Sequence, residues 1–208
     1  MHREIFEPHT EAVFKLLAQS SAVTPNTGFY LAGGTALALQ RGHRRSVDLD
    51  FFIHNDVLPE RITEQLEKLG TLTVTQEEQK TINASLNDVK VSFISFPYPL
   101  LFPTKEWDGV SLADERDVAA MKLSAIAGRG AKKDFFDMNE LLKTYSLEQM
   151  IHFFEQKFAG KNYNTLHILK SISYFVDADV EPDPIMLQKV SWDEVKSALS
   201  KEAHALVD

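Results

Sequence analysis

The run Ser46-Val-Asp-Leu-Asp-Phe-Phe-Ile53 places two aspartates one residue apart. In an extended strand side chains alternate, so Asp48 and Asp50 share one face while Leu49 and Phe51 share the other. Two carboxylates about 7 Å apart on one face repel each other unless a cation lies between them. Mg2+ or Mn2+ takes carboxylate oxygens and keeps positions open for substrate phosphates. In a two-metal site such ions clamp the attacking and leaving oxygens of a phosphoryl displacement. Taken alone, the pair reads at least as readily as the solvent face of an edge strand.

The residues upstream sharpen the choice. Gly33-Gly34-Thr35 stands between a strand-like and a helix-like segment, where bare amides and the positive end of a helix dipole hold an anion. A lone Gly-Gly is otherwise a tight turn. Arg44 and Arg45 precede the aspartates and could neutralise a triphosphate, or form a solvated basic turn. An anion nest, cations and metal carboxylates in that order are far more specific than any one of them. Further on, Lys122 and Arg129 are seven apart, two turns along one helix face, so both could reach one phosphate tail. Asp134 and Asp137, three apart, share a face of the next helix. The competing reading is an interhelical salt-bridge lattice, notably Asp134 with Lys132 or Lys133.

These residues sit on a legible framework. The 208 residues are 44% apolar and 25% charged, enough for a real core. The absence of cysteine excludes disulfides, thiolate metal sites and a cysteine nucleophile. A net charge of -8 disfavours a protein that coats nucleic acid, so any nucleic acid would be gripped by a local patch. The first residues lack the apolar run of a secretion signal and no segment approaches membrane-spanning length, which places the protein in the cytoplasm, away from membranes.

Periodicity predicts helices over 12–19, 35–40 and 59–69, and strands over 29–32, 47–53, 71–75, 81–86 and 89–96. Asn87-Asp88 forms the turn between the last two strands. After the proline-rich passage 96–109 nearly everything reads as helix: 114–127, 133–144, two helices opened by capping boxes at Ser146 and Ser191, and 164–175. Phe135 and Phe136 read as core contacts between the two halves. The expected fold is α+β, a small mixed-sheet domain over 1–108 followed by an all-helical domain over 109–208.

The string GGTALALQRGHRRSVDLDFF resembles the first motif of polymerase-beta-type nucleotidyltransferases, in the form found in the AbiEii/AbiGii-like toxin family. DVAAMKLSAIAGRGAKKDFFDMNELL, residues 117–142, resembles that family's later motif. The resemblance implies an enzyme that moves an NMP from an NTP onto an acceptor. Asp48 and Asp50 would hold Mg2+ or Mn2+, with Lys122 and Asp137 completing the catalytic set. Gly33, Gly34, Thr35, Arg44, Arg45, Ser46 and Arg129 would hold the nucleotide. By the same resemblance Lys122 contacts phosphates, while Asp137 orients Lys122 or Arg129 or assists in the site. The family's toxins act in toxin-antitoxin and phage-defence systems, and some modify tRNA ends. RNA is therefore the implied acceptor and an antitoxin the implied protein partner.

One residue departs from the pattern. The superfamily usually carries a third carboxylate on a neighbouring strand, and in VKVSFISF that place is taken by Ser92. Asp88 is on the same face by alternation but four residues away, about 13 Å along a strand. Three outcomes follow: catalysis with two carboxylates, a stand-in such as Asp137 or Asp88, or a nucleotide-binding or interaction protein without turnover.

Overall fold

The computed structural model describes residues 1–78 and 80–206. The order of elements in the first half is α1 (Pro8–Ala18), β1 (Tyr30–Leu31), α2 (Gly33–Arg41), β2 (Leu49–Ile53), α3 (Pro59–Glu67), β3 (Leu72–Glu78), β4 (Thr81–Leu86) and β5 (Val89–Ser95). A short hairpin of β6 (Lys105–Trp107) and β7 (Val110–Leu112) follows. The rest is helical: α4 (Glu115–Gly128), α5 (Lys132–Leu142), α6 (Leu147–Lys157), α7 (Thr165–Ile172), α8 (Val176–Asp179) and α9 (Trp192–His204). None of the described helices is long and apolar enough to cross a membrane.

The α+β expectation holds, with the strands forming one mixed sheet in the order β3-β4-β5-β2-β1-β7-β6. β2 runs parallel to β5 and antiparallel to β1, and β7 joins β1 in parallel. Asn87 and Asp88 both take positive φ, the two-residue turn that matches strand twist between β4 and β5. On one face of the central strands Leu49, Phe51, Val91 and Phe93 are buried in the core. The opposite face, carrying Asp50, Phe52, Ser92 and Ile94, forms the floor of a cleft.

Both capping boxes form, Ser146 with Gln149 and Ser191 with Glu194. The boundary expected at residue 108 falls in the β6–β7 turn, so the sheet's last strand lies beyond it and the helices begin at Glu115. Sequence alone could not place β7, because three residues carry too little periodicity to read. Phe135 and Phe136 pack on Trp192, with Phe175 against Phe135 and Trp192. They therefore pin α5 to the C-terminal helix, where the sequence reading had them joining the two halves.

Candidate active site

Asp48 sits just before β2 and Asp50 within it, and both face the cleft of about 500 Å³ between the sheet and α4. Asp50 is directly opposite Ser92 in the β2–β5 register, so the Ser92 hydroxyl lies beside its carboxylate and favours the ionised form. Burial pushes the Asp50 carboxyl above its ordinary range; the neighbouring Ser92 hydroxyl opposes this and the Asp48 charge adds to it. Asp48 is paired with the Lys133 ammonium at 3.1 Å.

Helix α2 starts directly from β1 with no side chain capping it, so its first-turn amides, which lack intrahelical partners, lie at the cleft wall. Gly33 has φ +65, a left-handed conformation that favours glycine, and a Cβ there would lie 3.5 Å from the Asp50 carboxylate. Gly34 is needed for a different reason, since a Cβ would run into the Arg44 guanidinium. The Thr35 hydroxyl donates to the Asp48 carbonyl and accepts from the Ser46 hydroxyl at 2.7 Å, tying the aspartate loop to α2. Thr35 and Ser46 thus line the cleft while their hydroxyls hold the loop.

The two arginines part company. Arg44 is buried and donates in parallel to Asp137, Nε to Oδ1 at 2.7 Å and Nη2 to Oδ2 at 2.8 Å. Arg45 turns away to Glu7 at 3.4 Å and does not line the cleft. Backbone pairing fixes this split, because the segment at Ile185–Leu187 runs beside residues 43–45.

Asp137 is the centre of a buried charge cluster. Besides Arg44 it pairs with Lys122 Nζ at 2.5 Å and His43 Nε2 at 2.7 Å. Burial alone would raise its carboxyl, but Arg44 and Lys122 outweigh that and hold it well below the usual range. Lys122 also meets Asp134 at 2.6 Å, and Arg129 meets Asp134 at 3.1 Å. The shared face of Lys122 and Arg129 is real, yet what both reach is Asp134. The lattice reading of Asp134 is therefore correct in kind and wrong in partner: Lys132 goes to Asp183 and Lys133 to Asp48. An ammonium has three donors, and two of Lys122's are taken. Three permanent cations face two carboxylates here, so the cluster is net positive toward the cleft.

Neither candidate stand-in for a third acid is available. Asp137 is fully buried among its partners, and Asp88 does not line the cleft. Among the described residues no group of three or more His, Cys, Asp or Glu is arranged to hold a metal. Asp48 and Asp50 nevertheless suit a hard divalent ion: two carboxylates, raised proton affinity at Asp50, and a cation already attracted to Asp48. Mg2+ is commonly held by one or two carboxylates plus substrate phosphates.

Sequence reasoning missed Lys133, Lys90 and Asn83 as lining residues. Lys90 was findable, because alternation puts it on the face of Ser92. Lys133 reads from the sequence only as a salt-bridge candidate for Asp134, and nothing local points it at Asp48.

Residues 15–109 match the family model described as nucleotidyl transferase AbiEii toxin, type IV TA system. An uncharacterized protein of Aquifex aeolicus is 36% identical over 190 residues, covering 84% of this chain and 85% of its own. The chain belongs to the AbiEii family. Its fold resembles the crystal structure of a putative nucleotidyltransferase from Helicobacter pylori (TM-score 0.57, 18% identity, 99% of this chain and 92% of that one). It also resembles the nucleotidyltransferase toxin MenT4 of Mycobacterium tuberculosis (TM-score 0.56, 16% identity, 100% and 87%). These likenesses in fold cover the helical half that the family model does not reach.

Proposed function

We propose that the protein is a metal-dependent nucleotidyltransferase, the toxin of a toxin-antitoxin or phage-defence pair, acting on RNA in the cytoplasm. The observation that carries this reading is the convergence, in one cleft, of the Asp48–Asp50 pair, the uncapped start of α2 and the net-positive cluster around Lys122.

Asp48 and Asp50 would hold Mg2+ or Mn2+, which neutralises developing charge and orients the attacking and leaving oxygens. The amides of Gly33 to Thr35 bind the β- and γ-phosphates. Lys122's remaining donor and Arg129 stabilise charge on the phosphate tail. Arg44 acts through Asp137, which it fixes. An acceptor oxygen forms a bond to the α-phosphorus, the bond to the bridging oxygen breaks, and pyrophosphate and a proton leave. The family and the MenT4 likeness support the toxin role and a cognate antitoxin as partner.

The test is incubation of the protein with each labelled NTP, Mg2+ or Mn2+ and total cellular RNA. Label is expected on RNA with the wild type and not with Asp50→Asn. Ser92, in place of a third carboxylate, favours a second reading, nucleotide binding without turnover. No label transfer, with metal-dependent NTP binding retained in calorimetry, would select it.

A further inference from the structure

The cleft has two chemically unlike ends, and the phosphate chemistry uses only one. Along the floor, one row sets Asp50 beside Ser92 and Asn83, and a later row sets Phe52 beside Ile94. Phe96 follows at the end of β5, its amide donating to the Ile53 carbonyl at 2.7 Å. Phe52 is two residues from Asp50, about 7 Å along the strand, which a ribose can span. The roof grades in the same direction. Arg129 at the C-terminal end of α4 pairs with Asp134, next to Lys133; Met121, beside Lys122, lines the cleft one turn from Asp117, whose partner Lys157 lies against Phe96.

The aromatic end is built and rigid. Phe52 and Phe96 meet edge to face at 5.5 Å, and Phe96 meets Phe158 at 6.1 Å. Lys157, clamped by Asp117 and the Pro99 carbonyl, lies 5.6 Å from the Phe96 ring centre and holds it in place. Phe52, Ile94, Phe96 and Met121 nonetheless remain half-exposed inside the cleft. Apolar surface kept open beside convergent polar groups marks a ligand's apolar part.

We propose that this aromatic end is the base subsite of the donor nucleotide, with Phe52 and Phe96 as its stacking faces. The inference rests on the nucleotidyl-transfer reading and adds where the base lies and what holds it. Flat aromatic rings without charge complement a nucleobase face, and stacking is tolerant of base identity.

The test is calorimetry on the full chain with Mg2+, titrating each NTP and, separately, inorganic tripolyphosphate. The wild type is expected to bind NTPs more tightly than tripolyphosphate. Phe52→Ala and Phe96→Ala should weaken NTP binding by about 5- to 150-fold and leave tripolyphosphate unchanged, which also shows the site folded. Phe52→Leu, which keeps apolar volume but not the flat face, should give a smaller loss of the same kind. Equal NTP and tripolyphosphate affinity in the wild type, or parallel loss of both ligands in the variants, overturns the base subsite and leaves nucleotidyl transfer standing. Failure of the wild type to bind either ligand overturns the underlying reading itself.

Discussion

Lys133 Nζ lies 3.1 Å from Asp48 Oδ2, a cation from the first turn of α5 placed on a carboxylate 85 residues earlier in the chain. Its side chain is 44% exposed, so the ammonium is free to swing. A divalent ion arriving at Asp48 must compete with it, and the released ammonium is then close to the substrate phosphates. Lys133→Met is accordingly expected to act with opposite signs. Affinity for Mg2+ or Mn2+ alone should rise about 2- to 5-fold, the worth of an exposed pair. Affinity for the metal-NTP complex should fall about 10-fold or more, the worth of a hydrogen bond to a charged group. Calorimetry with and without nucleotide reads both; a change of the same sign in both would make Lys133 merely structural.

Asp137 gives a stability prediction with a defined pH window. Its carboxylate is fully buried against Arg44, Lys122 and His43. Asp137→Asn leaves the buried Arg44 guanidinium without its carboxylate and removes one of the two that hold Lys122, and should cost about 3–5 kcal/mol in urea unfolding. Because the folded carboxyl is held below its ordinary range, the stability it supplies is present above the unfolded value, near 3.9, and is lost as pH falls toward the folded one. The wild-type urea midpoint should therefore drop between about pH 5 and pH 2. The variant should lack that part of the drop; equal acid sensitivity in both proteins would sink the account.

What the sequence made legible was local. Period-two alternation located β2 and put Asp48 and Asp50 on one face, and capping residues marked where α6 and α9 begin. What it concealed was which long side chain meets which partner. Arg44 and Arg45 are identical and adjacent, yet one is buried on a carboxylate 93 residues away and the other reaches the surface Glu7. That choice is made by the chain at 185–187 lying beside them, and no periodicity records it. The same holds for Lys122 and Arg129, whose shared face was readable while their common partner, Asp134, was not.

Glycine substitutions on the two walls of the cleft should have opposite effects. A Cβ at Gly34 collides with the Arg44 guanidinium, which cannot yield without breaking its paired bonds to Asp137. Gly34→Ala should cost about 1–3 kcal/mol and weaken NTP binding. A Cβ at Gly128, at the end of α4, meets nothing within 4 Å. Gly128→Ala should be neutral or stabilise by up to about 1 kcal/mol through helix propensity. Thermal unfolding of the two variants decides the matter, and a Gly34→Ala protein as stable as wild type would show that Arg44 is not fixed.

Asp50 should be a residue whose removal stabilises the protein while abolishing its chemistry. Burial and the Asp48 charge raise its carboxyl, so the folded state binds its proton more tightly than the unfolded chain does. That contribution is complete below the unfolded value and is lost as pH rises through the folded one, so the ionised wild type is penalised at neutral pH. Asn at this position carries no charge, and Asp50→Asn without metal should be more stable at pH 7 by on the order of 1 kcal/mol. The gain should vanish in acid, where the wild-type carboxyl is protonated. Ser92→Ala should act the other way, because it removes the hydroxyl that eases ionisation of Asp50. Urea titrations of the three proteins at pH 3 and pH 7, in a chelator, read this directly. An Asp50→Asn protein less stable than wild type at pH 7 would mean that Asp50 holds the fold together, and its place in the cleft would then have no cost for substrate and metal to repay.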